Sequence, residues 1–508
     1  MRSLHLASIL SIAIALVLSA SSGCSSANAP LVYGDGGSSS SGSGSGSSSG
    51  GGTGASSGGC TGFSCGSSGG GVTCAAGTGK QCINTTGGCN TQITGTVYDP
   101  AGQNPIYNVA VYVPSAPLLT LPKGVACGSC QDLYTGNPIA AGVTDAKGNF
   151  TIPNAPAAAS VPLVVQIGKW RKAYTVQNVT ECQTTQVTQK LTLPGKMDPN
   201  DSAVSMPDIA ISTGGADSLE CLLKRIGVDD SEFVGGAGKG HIHIFAGYNG
   251  ATASAGTPSS YSGLWDSKAD IEANDVVLLS CEGSETRDSG NQLITATDQA
   301  ILQQYANDGG RVFASHFHYK WFNDGPLSTP ALATWVTGSQ TILDTQSFPG
   351  VVTQTLANGQ PFPEGVALQQ WLTNVGALTN GQLPIWYARH NVTTTNFPPV
   401  QQWITLDKSV GAAPGAPQYF SFDTGKSGEG GVCGRVVYSD LHVSGGPGQS
   451  TNGVPGDYPG FNFGGVVPSG CAAHPLTPQE KALEFMLFDL SSCIITPGNG
   501  TKVPNIVQ

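Results

Sequence analysis

Charge is scarce in this chain. Asp, Glu, Lys and Arg make up 11% of its 508 residues, against roughly a quarter in ordinary globular proteins. Its 71 glycines, with many Ser and Thr, take over much of the surface. The remaining imbalance is acidic, -11 at pH 7, so a basic footprint is missing and nucleic acid is not an expected partner. A phosphate loop is missing too. "GGAGKG" (Gly235–Gly240) has Phe233 where the first glycine of GxxxxGK would fall and Gly240 in place of Ser or Thr, which marks a connector. "CGSC" (Cys127–Cys130) lacks a second CxxC of matching spacing, so it reads as part of a disulfide framework rather than a redox or zinc half-site.

The N-terminus lacks a spanning helix. Its apolar run, Ile9–Leu18, is too short to cross a bilayer and has the length of the core of an export signal. The following "SASSGC" resembles the lipobox of bacterial lipoproteins. That resemblance implies a signal peptide over 1–23 and a lipid on Cys24, with Ser25 after it favouring outer-membrane or cell-surface sorting. An ordinary signal cleaved near Ala27 or Ala29 is the alternative. Residues 34–59 are almost all Ser and Gly, which bury too little to offset backbone entropy. They predict a flexible tether, within a 24–59 anchor region, of about 25–30 Å mean reach. The 14 cysteines suit an oxidising compartment. Five of them fall in a Cys-rich segment at 60–90.

From residue 91 the pattern changes. "ITGTVYDPAGQNPIYNVAVYVP" alternates apolar and polar residues around a Pro/Gly turn, and "GVTDAKGNFTIP" adds a turn and a third strand. Gly95, Val97, Asp99, Gly102, Pro105, Val109, Val111, Asp145, Gly148 and Phe150 carry a resemblance to the carboxypeptidase regulatory-like, transthyretin-type β-sandwich family over 91–195. The insertion at Cys127–Cys130 departs from that pattern. The resemblance implies a small all-β, non-catalytic module.

Strands and helices alternate from Met206 onward: "DIAIS", "GGADSLECLLKRIG", "HIHIFAG", "NDVVLLSCEG", "TATDQAILQQYANDGG", "RVFASHF". This order predicts a parallel sheet covered by helices on both faces. Together with "CGRVVYSDLHVSG" and "LTPQEKALEFMLFDLSSC", it resembles the class I glutamine amidotransferase-like fold, a flavodoxin-like doubly wound architecture, nearest its trehalose-utilisation branch. The resemblance covers 206–494, with an unmatched insertion over 325–423 and a tail at 495–508.

That resemblance places His316 at the turn where glutaminases hold their nucleophilic cysteine, and His442 at the family's base. Ser444 stands where the orienting acid belongs, so glutaminase activity is not expected. The loop "SCEGSE", with Cys281, matches the one that supplies oxyanion donors. Related folds suggest bridges Cys433–Cys471 and Cys221–Cys493, which would leave Cys281 as an odd thiol: inert and buried, bridged elsewhere, or reactive. His316 and His318 share a face if the strand continues that far. With His442 and a carboxylate they would suit a divalent metal. Glu282 joins His316 and His442 as a catalytic candidate, while His318, Cys281, Glu285 and Asp440 are candidate ligand contacts. "HIH" (His241–His243) sits early on its strand and is a weaker signal.

A metal site, a metal-free crevice and no site at all stay open. The leading expectation is an exported, membrane-anchored protein that binds a carbohydrate or other envelope ligand. The alternative is a metal- or histidine-dependent hydrolase or isomerase acting on a sugar.

Overall fold

The alternating runs fold as strands because each puts one apolar face inward. The computed structural model describes residues 90–125, 127, 130–253, 256–285, 293–343, 346–425, 432–442, 465–494 and 503–506. The segments expected to be a signal peptide and a tether, the candidate lipid site Cys24 and the cysteines at 60–89 lie outside them, as does most of the 495–508 tail. The first strands are β1 (Gln92–Tyr98), β2 (Ala110–Pro114), β3 (Pro138–Val143), β4 (Asn149–Ile152), β5 (Ala158–Ile167), β6 (Trp170–Val179), β7 (Thr184–Gln186) and β8 (Leu191–Thr192). One sheet centres on β1, paired with β4, β7 and β8; the other runs β3-β2-β5-β6. Ile93 and Val97 from the first sheet bury against the same core as Val111, Val113 and Val165 from the second. The turn before β4 is set by Asp145, whose Oδ1 accepts the N–H groups of Lys147 and Asn149 at 2.8 and 2.9 Å. It closes on Gly148, where φ is +71° and a Cβ would lie 2.6 Å from the Val97 carbonyl oxygen, so a side chain has no room.

The second layer follows in chain order: β9 (Ile209–Thr213), α1 (Leu219–Arg225), β10 (Phe233–Gly235), β11 (Ile242–Ala246), α2 (Lys268–Glu272), β12 (Val276–Leu279), α3 (Ala296–Asn307), β13 (Arg311–Ser315), β14 (Ala333–Trp335), β15 (Phe348–Val352), α4 (Pro363–Asn374), β16 (Leu383–Ile385), β17 (Val392–Thr395), β18 (Gln401–Leu406), β19 (Pro417–Thr424), β20 (Gly434–Ser439) and α5 (Pro478–Ser491). One ten-stranded sheet has the order β10-β11-β9-β12-β13-β20-β19-β18-β15-β16. Successive strand residues serve opposite faces. Ile209, Ile211, Leu278 and Phe313 pack with α1, α4 and α5 residues, while Ala210, Val277, Leu279 and Val312 pack with α2 and α3 residues. Helices therefore cover both faces, as the alternation predicts.

The expectation of a purely parallel sheet is corrected. The strands from β10 to β20 are parallel, but β19, β18, β15 and β16 are antiparallel. They come almost wholly from the insertion at 325–423. Its short alternating runs pair onto the side of β20 that would otherwise be an open sheet edge. Thr295 and Thr477 start α3 and α5 with reciprocal capping boxes to Asp298 and Glu480.

The sandwich is no loosely strung module. One continuous apolar core joins it to α4 and α5. Trp170 meets Phe488 edge-on at 5.7 Å, Tyr107 stacks on Phe485 at 5.6 Å, and Trp371 Nε1 donates to the Pro105 carbonyl at 2.6 Å. Gly168 permits the closest approach, since a Cβ there would stand 1.9 Å from the Ser491 carbonyl oxygen.

The bridges differ from expectation. Cys127 pairs with Cys433 and Cys221 with Cys471, so neither Cys433–Cys471 nor Cys221–Cys493 forms. Cys433 precedes β20, at the end of the strand opposite His442, where it meets the cysteine insertion of the sandwich. Cys471 instead lies on a segment held against α1, with Lys224 Nζ donating to Pro468 O at 3.0 Å and Arg225 to Ala472 O at 3.4 Å. Cys493 is disulfide-bonded elsewhere, and Cys281 is a free, buried thiol. Non-reducing peptide maps should recover Cys127–Cys433 and Cys221–Cys471. Replacing Cys221 and Cys471 together by Ser should lower the unfolding free energy by about 2–5 kcal/mol. A Cys433–Cys471 peptide would contradict this structure.

Candidate functional site

The neighbouring parallel strands β12, β13 and β20 share one register. Leu279 lies beside Ala314, and Ala314 beside Tyr438. Two residues past that row, the outer two positions are Cys281 and Asp440 and the middle one is His316; His442 follows two residues after Asp440. Strand ends of this kind, on the carboxyl side of a parallel sheet, are where such folds bind ligands.

The chain turns sharply at His316, whose φ is +42°. A left-handed non-glycine residue costs on the order of 1–3 kcal/mol and persists only where its surroundings hold it. Here Ser315 Oγ donates to Asp217 Oδ2 at 2.7 Å, and Tyr438 Oη donates to the His316 carbonyl at 2.9 Å. A 3-10 turn, His316–Trp321, then replaces the strand.

This turn aims the His316 ring at Cys281 and His442. Nδ1 of His316 is 3.3 Å from Cys281 Sγ, and the rings of His316 and His442 lie 5.0 Å apart, edge to face. One ligand atom from each of the three residues lies within 4.8 Å of the others. The second ring nitrogens are already engaged. Nε2 of His316 donates to the Ser339 carbonyl at 3.1 Å, and His442 donates to the Tyr387 carbonyl. His442 Nδ1 is buried without a hydrogen-bond partner among the described residues. His316 thus carries its proton on Nε2 and turns its Nδ1 lone pair to Cys281, and the unpartnered Nδ1 leaves His442 a lone pair as well.

Burial sets the electrostatics. It holds His316 well below the ordinary imidazole range, with His442 and the Arg389 guanidinium adding to the effect. Burial and Arg389 lower His442 to about 3. The Cys281 thiol is pushed up to about 12 by burial, although the backbone N–H groups of Phe317 and Gly283 point at its sulfur. Without a cation the cluster is a neutral thiol donating to a neutral imidazole. It is not the thiolate–imidazolium pair that a nucleophilic cysteine needs.

His318 leaves the expected metal set. Because the strand stops at Ser315, positions 316 and 318 no longer share a face. Nε2 of His318 donates to the Ser280 carbonyl at 2.9 Å and Nδ1 accepts from Trp321 Nε1 at 3.0 Å, so neither nitrogen offers a lone pair to a metal. Cys281 takes its place. Glu282 is buried beside Cys281, and its Oε1 accepts the Tyr248 N–H at 3.1 Å. Glu285 lies farther along the same loop, accepting the Tyr319 hydroxyl at 2.7 Å. Asp440 does not orient His442: its Oδ1 lies 2.7 Å from Tyr438 Oη and its Oδ2 accepts the Val392 N–H at 3.2 Å. Burial first of all raises it to about 7. Ser339, Tyr387 and Arg389, which surround the rings, all come from the insertion. Backbone carbonyls bear no side-chain signature, so no motif could have marked the first two.

The donor set suits a zinc-class ion. Bonds of about 2.3 Å to sulfur and about 2.0–2.1 Å to nitrogen give a tetrahedral S···N edge of about 3.5 Å, close to the 3.3 Å between Cys281 and His316. Metal-bound imidazoles characteristically donate their other N–H to a carbonyl or carboxylate, and both rings do so here.

Comparison with known proteins adds no function. No family profile matches the chain, and no curated protein does. Among solved structures, it is similar over 24% of its length, at 20% identity and a TM-score of 0.15, to a 9R-lipoxygenase from Cyanothece, of which it covers 19%. A type II cohesin–X-dockerin complex from Acetivibrio cellulolyticus matches 25% of the chain at 12% identity and a TM-score of 0.14, with 78% of that chain covered.

With chelator present, iodoacetamide at neutral pH should leave Cys281 of the folded chain unlabelled and modify it readily in denaturant. Fast labelling of the native protein would reveal a thiolate that this geometry denies.

Proposed function

We propose that the chain is a metal-dependent hydrolase whose ion is held by Cys281, His316 and His442. One observation supports this most: a thiol and two imidazole lone pairs converge within 4.8 Å, while both distal ring nitrogens are anchored on backbone carbonyls. A divalent ion there supplies Lewis acidity and lowers the pKa of water. The protein fixes the tautomers, and the N–H groups of Phe317 and Gly283 stabilise the sulfur as it gives up its proton. Glu282, next in the chain to Cys281, is the group we assign to proton transfer. A divergent amidotransferase-like fold of the trehalose-utilisation type directs us to a sugar-type substrate. The lipobox-like "SASSGC" directs us to a lipid-anchored enzyme of the cell envelope. This reading is favoured over plain carbohydrate recognition, because the convergent atoms form a cation's ligand set.

Two experiments test it. Co2+ added to the chelated protein should develop a thiolate-to-cobalt charge-transfer band that saturates at one equivalent. Cys281→Ser should abolish the band, and His442→Ala should weaken the ion at that site by more than about a hundredfold, since loss of an outer partner alone costs 10–100-fold. A native, folded chain that forms no such band removes the metal reading. Cys24→Ala should release the protein from the membrane fraction, and unchanged fractionation would reject the anchor.

A further inference from the structure

The opposite end of the same sheet carries a second set of acceptors. His241 precedes β11 and His243 lies within it, two residues apart and on one face; Asp208 immediately precedes the neighbouring β9. Nδ1 of His243 faces the Gly236 carbonyl at 2.6 Å, and Nδ1 of His241 faces Glu232 Oε2 at 2.8 Å. Each partner is an acceptor, so a neutral ring at either position carries its proton on Nδ1 and turns a lone pair on Nε2 toward Asp208. Those lone pairs converge on a third acceptor. Asp208 Oδ1 is 3.3 Å from Nε2 of His243 and 4.0 Å from Nε2 of His241. Three acceptors facing one another repel unless a positive charge sits among them.

The surroundings sharpen that need. Glu232 is tied by the backbone N–H groups of Met197 and His241 at 2.8 and 3.1 Å. Asp275 accepts the Asp208 N–H at 2.9 Å and pairs with Lys169 of the sandwich. Three carboxylates thus share this cluster with Lys169, while Lys123, whose charge acts on Asp208, and Arg171 line a cavity beside it. That cavity, of about 270 Å³ between the sandwich and the α/β layer, is also lined by His241, Asp208, Asp275 and Lys169, among others. It gives an ion a route in and leaves room for water on its open positions.

We propose that His241, His243 and Asp208 form a second site for a zinc-class divalent cation, with Glu232 and the Gly236 carbonyl orienting the two imidazoles. Two imidazoles favour such an ion over calcium or magnesium. The 3.3 Å edge to His243 matches a tetrahedral site of about 2.0–2.1 Å bonds, and the 4.0 Å separation to His241 has to shorten when the ion binds. Asp208 is hydrogen-bonded to Asp275, and Asp275 holds Lys169, so the ion braces the seam between the layers. This site is independent of Cys281.

Cobalt separates the two sites, because an N/O site gives no thiolate band. The full chain should bind two equivalents of Co2+, and only one should bring the charge-transfer band. Cys281→Ser should lose the band and keep one equivalent. Asp208→Asn and His243→Gln should each keep the band and lose the other equivalent. In the Cys281→Ser background, Zn2+ should raise the melting temperature, and adding Asp208→Asn should abolish that rise. Melting without metal checks that each variant folds. If Cys281→Ser binds no Co2+ and gains no stability from Zn2+, then protonated histidines alone fill the gap and the proposal is overturned. A second equivalent that survives both Asp208→Asn and His243→Gln overturns it equally.

Discussion

The parallel register of β12, β13 and β20 is the constraint on which the candidate centre depends. It sets Leu279, Ala314 and Tyr438 side by side, so residues far apart in the chain leave the sheet at one edge. Moving any of the three strands by one residue would turn its core side chains to the other face and carry its site residue away with them. The apolar residues that pin this register, such as Val277, Val312 and Val436, are fully buried. The same contacts that stabilise the layer therefore place Cys281, His316 and His442.

Much of this was legible from periodicity and much was not. The alternating runs after residue 91, the helix in "TATDQAILQQYANDGG", whose cap of Thr295 or Thr297 the structure resolves as Thr295, and the apolar run "VVLL" each have a local cause, and each forms its element. The turn at His316 was legible only as a position. Nothing in "ASHFHY" says that the strand stops at Ser315, and that single event separates His318 from His316 and leaves room for Cys281. The bridges were misread because pairing follows spatial approach. Cys471 meets Cys221 through the contacts of Lys224 and Arg225, and Cys433 lies at the unexpected end of its strand. The insertion at 325–423 matched the family pattern poorly, yet it extends the sheet and supplies the carbonyls of Ser339 and Tyr387 that orient both rings.

The scarcity of charge takes on meaning in the fold. Several of the few charged groups sit at joints: the half-buried Arg435 with Asp423 and Asp489, the half-buried Lys169 with Asp275 between the sandwich and the sheet, and the buried pair of Arg225 with Glu480 between α1 and α5. Buried pairs of this kind add little net stability over apolar packing, but breaking one partner costs several kcal/mol, roughly 3–5. They favour one docking of the layers over others. Glu484 works similarly: Asn104 donates to it at 2.7 Å, and burial, with Asp99 nearby, raises it well above the carboxylate range. A proton shared across that seam lets two acids approach where two carboxylates could not.

The three residues of the centre are a different kind of buried polar group. The joints pair opposite charges or share a proton, whereas the centre holds a neutral thiol, two neutral imidazoles and an Nδ1 on His442 that has no partner among the described residues. An apolar core would avoid that arrangement, because a buried acceptor without a donor costs about 1–3 kcal/mol. The left-handed backbone at His316 adds a further penalty at the same point. Strain, an orphaned lone pair and an anchored imidazole coincide at the edge where three strands end, which is what marks Cys281, His316 and His442 as the candidate metal centre.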